Sequence, residues 1–317
     1  MTFALLIIWL IVAIIIIQEQ RIARIIIYLG IFSLVGSLCY LMLGSPDVAM
    51  AEAATSAFTV LFFIVCFERY FNFADIEIRS GRAARNERRW LSYKTLLPMG
   101  FTVFLAGLIL YLRPDASTRP TNLMDRYLTS FPMDVGGENP VTAIYLGYRV
   151  YDTLFEALVV VICVVAAVHL SEFGERATIP EHHSELEKSE MAVFAIQVIC
   201  SVMLLYGVYL VLNGHLTPGG GFQGGLAVAS FFICRYMIYD VNDLPIKKLN
   251  RMEELVFIAI ALFAISIIFM GAVDYIPERI LPIFQSGYMI VMNILIGLKV
   301  ACGFIILFYR YIVVEQI

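Results

Sequence analysis

Residues Gly214–Gly225 read GHLTPGGGFQGG, a glycine-rich interruption between two apolar runs, Met191–Leu212 and Leu226–Tyr239. In a soluble protein such a stretch suggests a phosphate loop. Gly219, Gly221 and Gly224 fit G-x-G-x-x-G, and Asp240 and Asp243 lie near the distance at which a dinucleotide-binding fold places its acidic residue. The run before the glycines decides against this. It is 22 residues long, about four times an ordinary strand, and it reads as a membrane helix. No lysine follows the glycines, so a Walker loop fails as well. Gly214–Gly225 is therefore read as a turn that ends one crossing and opens the next.

The composition agrees with that reading. Of 317 residues, 61% are hydrophobic and 15% charged, and the mean hydropathy is +0.84. These values describe an all-α polytopic membrane protein and exclude a soluble domain or a nucleic-acid binder. The first apolar run starts at Thr2 with no basic residues before it and no small-residue cleavage site after it, so a retained helix is expected rather than a signal peptide. The six cysteines lie inside apolar runs without C-x-x-C spacing, which predicts packing residues and no metal or iron–sulfur site.

Nine runs are long enough, or nearly so, to cross a bilayer: Phe3–Ile17, Ile22–Leu43, Val48–Glu68, Thr95–Leu112, Thr153–Leu170, Met191–Leu212, Gly220–Tyr239, Glu254–Val273 and Tyr288–Tyr309. With the N-terminus outside, 15 Lys and Arg fall on inside segments and five on outside loops, which predicts N-out/C-in. Two loops divide the runs into blocks of three, two and four helices: 1–94, 95–190 and 191–317. The basic segment Arg69–Lys94 suits anionic headgroups of the bilayer. The linker Ser171–Glu190 carries His182 and His183 among carboxylates, and its mixed charge reads as solvated rather than metal-binding.

A few polar residues inside the apolar runs are the candidates for chemistry. Glu52, Thr55, Ser56 and Thr59 follow i, i+3, i+4, i+7, placing four oxygen-bearing side chains on one helix face. A carboxylate in hydrocarbon must be protonated, paired or bound to a cation, so Glu52 is either an ion-path residue or a fixture to a neighbouring helix. The threonine hydroxyls either complete a cation site or bond their own backbone. Asp47, after Pro46, is expected to cap the third helix. Arg149 and Asp152 read as a charge-paired entrance to the fifth helix, with Glu156 one turn deeper, open to either an ionic or a structural role.

Lys299, near the middle of the ninth run, is too deep to reach water easily and requires a partner, for which Glu52, Glu156 or a carboxylate of another subunit are the candidates. Asn293, six residues earlier, falls on a different face. Within the opening motif, Pro218 and the glycines allow a tight turn and a helix start. Gly220 with Gly224, and Gly221 with Gly225, form two small-xxx-small pairs for close helix packing. His215 is either a proton relay at the outer mouth or a hydrogen-bonded loop residue.

Three motifs carry a family resemblance. Leu43–Ala54, LGSPDVAMAEAA, resembles the signature of the C-terminal region of the large Mrp antiporter subunit, equivalent to the three-helix protein MbhD of membrane-bound hydrogenases. Asn139–Leu158, NPVTAIYLGYRVYDTLFEAL, is similar to the two-helix MbhE block, and Gly214–Gly225 resembles the MnhB/MrpB motif, MbhF in the hydrogenases. The resemblance implies a fused MbhD–MbhE–MbhF-like subunit of an Mrp-type cation/proton antiporter module in the cell membrane, without a redox or catalytic centre or cofactor of its own. It implies Na⁺ and H⁺ as the ions moved, and other antiporter subunits, with hydrogenase or iron–sulfur subunits, as partners. No antiporter-like region precedes the MbhD-like block, an expectation that favours a hydrogenase-type complex. Two functions stay open at this stage: a contributor of Glu52, Glu156 and Lys299 to an ion path, and a scaffold joining other membrane subunits.

Overall fold

The computed structural model describes residues 2–70, 100–105, 107–108, 111, 121–173, 190–239, 244–271 and 281–312. The expectations for the basic segment after Tyr70 and for the linker with His182 and His183 lie outside these residues, as does much of the fourth apolar run. The chain forms two compact units, one of Met1–Phe71 with Ser130–Ile317 and one of Asn72–Thr129. In the second unit, Thr129 Oγ1 donates back to the Asp125 carbonyl at 2.7 Å inside its helix. The candidate functional residues all belong to the first unit.

The elements are α1 (Thr2–Gln18), α2 (Ile22–Met42), α3 (Pro46–Tyr70), α4 (Thr121–Asp134), the single turn α5 (Pro140–Ala143), a π-turn at Ile144–Tyr148, α6 (Val150–Phe173), α7 (Glu190–Asn213), α8 (Gly221–Tyr239), α9 (Ile246–Gly271) and α10 (Leu281–Ile312). Among the described residues, six helices are long and apolar enough to cross a membrane: α2, α3, α6, α7, α8 and α10. The shorter apolar α1 stands beside them. The chain is an integral, multi-pass, all-helical membrane protein.

One boundary moves from its expected place. The helix expected from Glu254 begins about two turns earlier, at Ile246, so Glu253 lies within α9 and not in an inside loop. The short link between α1 and α2 is fixed by Glu19, whose Oε1 accepts from the backbone N–H groups of Gln20 and Arg21, both at 3.1 Å. The hydrogen bond from the Arg21 amide, with help from Arg24 at 3.6 Å, holds this carboxyl below its usual range.

Helices α8 and α10 form the centre. Half of the crossing window of α8 and 61% of that of α10 are buried, against 11% for α7 and 17% for α2 and α3. Helix α8 packs on α7, α10 and α3, and α10 packs also on α9 and α6. Glycines allow this density. A Cβ on Gly221 would lie 2.5 Å from the carbonyl oxygen of Asn293, and one on Gly225 would lie 2.6 Å from that of Gly297, so α8 meets α10 backbone to backbone. On the other side, a Cβ on Gly224 would lie 2.6 Å from the Gly207 carbonyl oxygen of α7. The expected small-xxx-small pairs therefore serve two different neighbours: Gly221 and Gly225 face α10, and Gly224 faces α7.

Overpacking at such a contact costs about 1–3 kcal/mol. We expect Gly221→Ala and Gly225→Ala to lower the thermal midpoint of the purified protein by several degrees. Gly287→Ala, where a Cβ meets nothing within 4 Å, should leave it unchanged; fluorescence-detected size-exclusion after heating reads the difference.

Candidate functional site

The glycine-rich loop is held by side chains from three distant parts of the chain. Asn139 is 4% exposed and caps α5, accepting on Oδ1 from Val141 N at 2.9 Å and Thr142 N at 3.4 Å. The Asn139–Pro140 pair places a strong cap before a residue that needs no N–H bond. Its Nδ2 donates to Asp47 Oδ1 at 3.0 Å and to the carbonyls of Thr217 at 3.1 Å and Gly214 at 3.4 Å. Asp47 Oδ1 also accepts from Gly219 N at 3.1 Å.

Asp47 thus sits inside the first turn of α3 and ties that helix to α5 and to the loop, in place of the expected cap of its own helix. The backbone carbonyl of His215 accepts from Glu138 N and Asn139 N at 2.9 and 3.1 Å. The His215 side chain is 9% exposed, and its Nδ1 has no partner among the described residues. Gly219, with φ at +130°, has a conformation that disfavours other residues and is packed so closely on Leu210 that a Cβ would lie 2.8 Å from it.

Beneath the loop, the chain widens by one residue into the π-turn, with Arg149 N bonded to the Ile144 carbonyl at 2.8 Å. Such turns often mark functional positions. Here the turn presents Tyr145. Its hydroxyl donates to Asn293 Oδ1 at 3.2 Å and lies 3.4 Å from Thr142 Oγ1, which itself donates to the Gly214 carbonyl at 2.6 Å. Asn293 is fully buried, and its Oδ1 also accepts the first amide of α8, Gly221 N, at 3.1 Å. The Tyr145 carbonyl points the other way and accepts from Thr153 Oγ1 at 2.5 Å.

Thr153 opens the second half of the site. It lines, with Glu156, Ala157, Val160, Phe222, Ile296, Lys299 and Val300, a crevice of about 10 Å³, room for roughly one water. Lys299 is fully buried, and its ammonium forms an ion pair with the carboxylate of Glu253, itself 2% exposed. The Phe257 ring lies 5.7 Å from the same Nζ. The partner of Lys299 in this structure is therefore Glu253 of α9, rather than Glu52 or Glu156. Glu156 is exposed at the crevice edge. One lysine is in this way set between a carboxylate it holds and a crevice that a second carboxylate borders. Arg149 and Asp152 pair at 2.5 Å at the exposed entrance of α6, as expected.

Glu52 stands apart, on α3. It is half-buried and accepts from Ser33 Oγ of α2 at 2.6 Å. Thr55 and Thr59 donate to the carbonyls of Ala51 and Thr55 at 2.8 and 2.7 Å, so their hydroxyl hydrogens face their own backbone. The residues sequence reasoning overlooked are Glu253, Asn139, Tyr145 and Thr153. Only Asn139, through its Asn–Pro cap, left a readable signal.

Comparison with known proteins agrees with this architecture. The MbhD family model, describing the D subunit of MBH, matches residues 7–71, and the model for a domain related to the MnhB subunit of Na⁺/H⁺ antiporter matches residues 191–306. An uncharacterized protein of Methanocaldococcus jannaschii is 28% identical over 236 residues, 65% of this chain and 86% of that protein. The mnhB2 protein of Staphylococcus epidermidis, named as an antiporter subunit, is 39% identical over 71 residues, 20% of this chain and 50% of its own length.

In fold, the chain is similar to a chain of the Mrp complex from Dietzia sp. DQ12-45-1b, with a TM-score of 0.65 at 16% identity, covering 95% of this chain and 34% of that one. It is also similar to a chain of the membrane-bound sulfane sulfur reductase, an archaeal respiratory membrane complex, with a TM-score of 0.54 at 22% identity, covering 68% of this chain and 95% of that one. The chain thus spans half of mnhB2 and about a third of the matched Mrp chain.

Removing one partner of a buried ion pair strands the other charge, at about 3–5 kcal/mol. We expect Glu253→Ala to destabilise the protein by about that amount. The double variant Glu253→Ala with Lys299→Met should recover most of the loss, as read by thermal denaturation in a double-mutant cycle.

Proposed function

Because this chain carries the MbhD and MnhB-type regions of an Mrp-type module, we propose that it is a membrane subunit of a Na⁺/H⁺-translocating complex in the cell membrane and lends buried ionisable groups to the ion path. The observation that carries this reading is Lys299, fully buried, bonded to Glu253 and bordering the crevice shared with Glu156. Ionisable groups at membrane depth are costly and are kept where they handle ions or hold helices together. A lysine between two carboxylates can change partners at small cost, because the charge it leaves behind and the charge it meets have the same sign. An arriving proton on one carboxylate shifts that balance and moves the ammonium toward the other.

The region between the two family matches supplies Glu156 and is proposed as the two-helix block joining them. Glu52, bonded by Ser33 of α2, lies on the face of α3 beside the exposed Thr55 and the half-buried Thr59 and is proposed as a second ionic position, opened to another antiporter-type subunit. The proposed partners are the other subunits of such a module, in a plain antiporter or in a respiratory complex with hydrogenase or iron–sulfur subunits, and the chain itself brings no cofactor. A scaffold role predicts a different outcome in the same test.

We expect Glu156→Gln, and the double variant Glu253→Ala with Lys299→Met that strands no charge, to cut Na⁺-dependent proton movement in the reconstituted whole complex by at least about a hundredfold, the usual scale for losing a proton-transferring group. Subunit content should be unchanged on native gels. Full transport by both variants would leave the scaffold reading standing instead.

A further inference from the structure

We propose that Cys200 of α7 and Cys234 of α8 form a modification site, a pair of thiols that a hydroperoxide closes into a disulfide pinning the two helices together. Both cysteines are free, and both are buried, at 5% and 2% exposure. The Cys234 thiol hydrogen-bonds to the Cys200 sulfur, so the two side chains already touch across the helix seam. The packing of α7 on α8 explains why they meet. At Gly207 a Cβ would lie only 3.1 Å from the Cβ of Ala227. A step of seven residues, about two turns, returns a side chain to nearly the same helix face. In these antiparallel helices, one such step back from Gly207 reaches Cys200, and one such step on from Ala227 reaches Cys234. Farther along the same seam, Gln197 Nε2 donates to the Tyr239 hydroxyl at 2.9 Å. The thiols are thus bracketed by a close contact of small residues on one side and a hydrogen bond on the other. A disulfide asks for Cα atoms about 4.4–6.8 Å apart, which helices packed on glycine and alanine can offer.

A lone thiol in apolar surroundings reacts slowly. What distinguishes this pair is that the product of a first oxidation is already in contact with the thiol that resolves it. Cys200 is the sulfur that meets the oxidant first, since α7 is the least covered of the described crossing helices, with 11% of its window buried. Its sulfur takes one oxygen from hydrogen peroxide, the O–O bond breaks, and the thiol proton leaves with the other oxygen as water. The sulfenic acid that remains is attacked by Cys234. An S–S bond forms, the S–O bond breaks, and the hydroxyl departs with the Cys234 proton as a second water. Two thiols lose two electrons and two protons, and one peroxide becomes two waters. Reactants and products are all uncharged, so the apolar interior holds no ion once the reaction is complete.

The site stands independently of the proposed ion path, and its test needs no transport. Membranes holding the whole complex are exposed to hydrogen peroxide, remaining thiols are blocked with N-ethylmaleimide, and the digested chain is read by mass spectrometry without reduction. We expect a peptide linking Cys200 to Cys234 as the main oxidation product at these residues, absent without peroxide and released by a phosphine reductant. The exposed Cys163 should be alkylated and form no link within the chain. Closing this loop constrains the unfolded chain, so the oxidised protein should melt several degrees higher, and reduction should reverse the shift. Cys200→Ala and Cys234→Ala should each abolish both the link and the shift. The linked peptide is read on the wild-type chain, so the decision does not depend on either variant assembling. Thiols that resist peroxide, sulfinic acid on Cys200 beside an intact Cys234, or links made equally to other cysteines overturn the proposal.

Discussion

Buried backbone that leaves the helical path must find its hydrogen-bond partners within the protein, because an unpaired N–H or C=O there costs as much as a lost hydrogen bond. The segment from Gly214 to Gly220 is such backbone, and its partners come from afar. Asp47 and Asn139 bond its amides and carbonyls from two other parts of the chain, and Asn293 receives the first amide of α8. This satisfaction fixes the loop, and the loop fixes where α8 begins. Because α8 then presents Gly221 and Gly225 to α10 and Gly224 to α7, the same glycines that make the turn also set the distance between the central helices. The turn and the core are one construction, which is why a motif of twelve residues identifies an architecture of several hundred.

How much of this was legible in the sequence depended on whether the signal was local. Membrane helices announce themselves by length and apolarity, and α2, α3, α6, α7, α8 and α10 fall where those runs predict them. Small-xxx-small spacing is local as well, so close packing at Gly220–Gly225 was readable, although not its division between two neighbours. Polar partnerships across the bundle were not. Asp47 looked like a cap because Pro46 precedes it, yet its Oδ1 faces Asn139, 92 residues away. Thr55 and Thr59 have the spacing of a cation site, but hydroxyls in helices have a carbonyl four residues back always within reach, and both bond it.

Glu253 was missed for a related reason. The charged residues Lys247, Lys248, Arg251, Glu253 and Glu254 push the apolar signal of α9 toward its C-terminal part, so the helix seemed to begin after them. In the structure it begins at Ile246 and carries Glu253 about 10 Å along its axis. A carboxylate is tolerated there because Lys299 waits for it on α10, and Lys299 is tolerated at its depth for the mirror reason. Neither residue makes sense alone, and the sequence offered the lysine without any mark of which carboxylate it needed.

That mutual dependence bears on what the pair is for. A buried ion pair between two helices adds little stability over two well-packed apolar residues of the same size, since the desolvation of both charges nearly cancels their attraction. If holding α9 to α10 were the whole purpose, the extensive apolar contact between those helices, with Ile260, Ala264, Met289 and Met292 all buried in the same core, would serve without it. The charges are also set beside a small, mainly apolar crevice with another carboxylate at its edge, an arrangement that a purely adhesive pair does not require. Stability alone gives little reason to keep Lys299 and Glu253 ionised at this depth, and that is the physical argument for the proposed ion path.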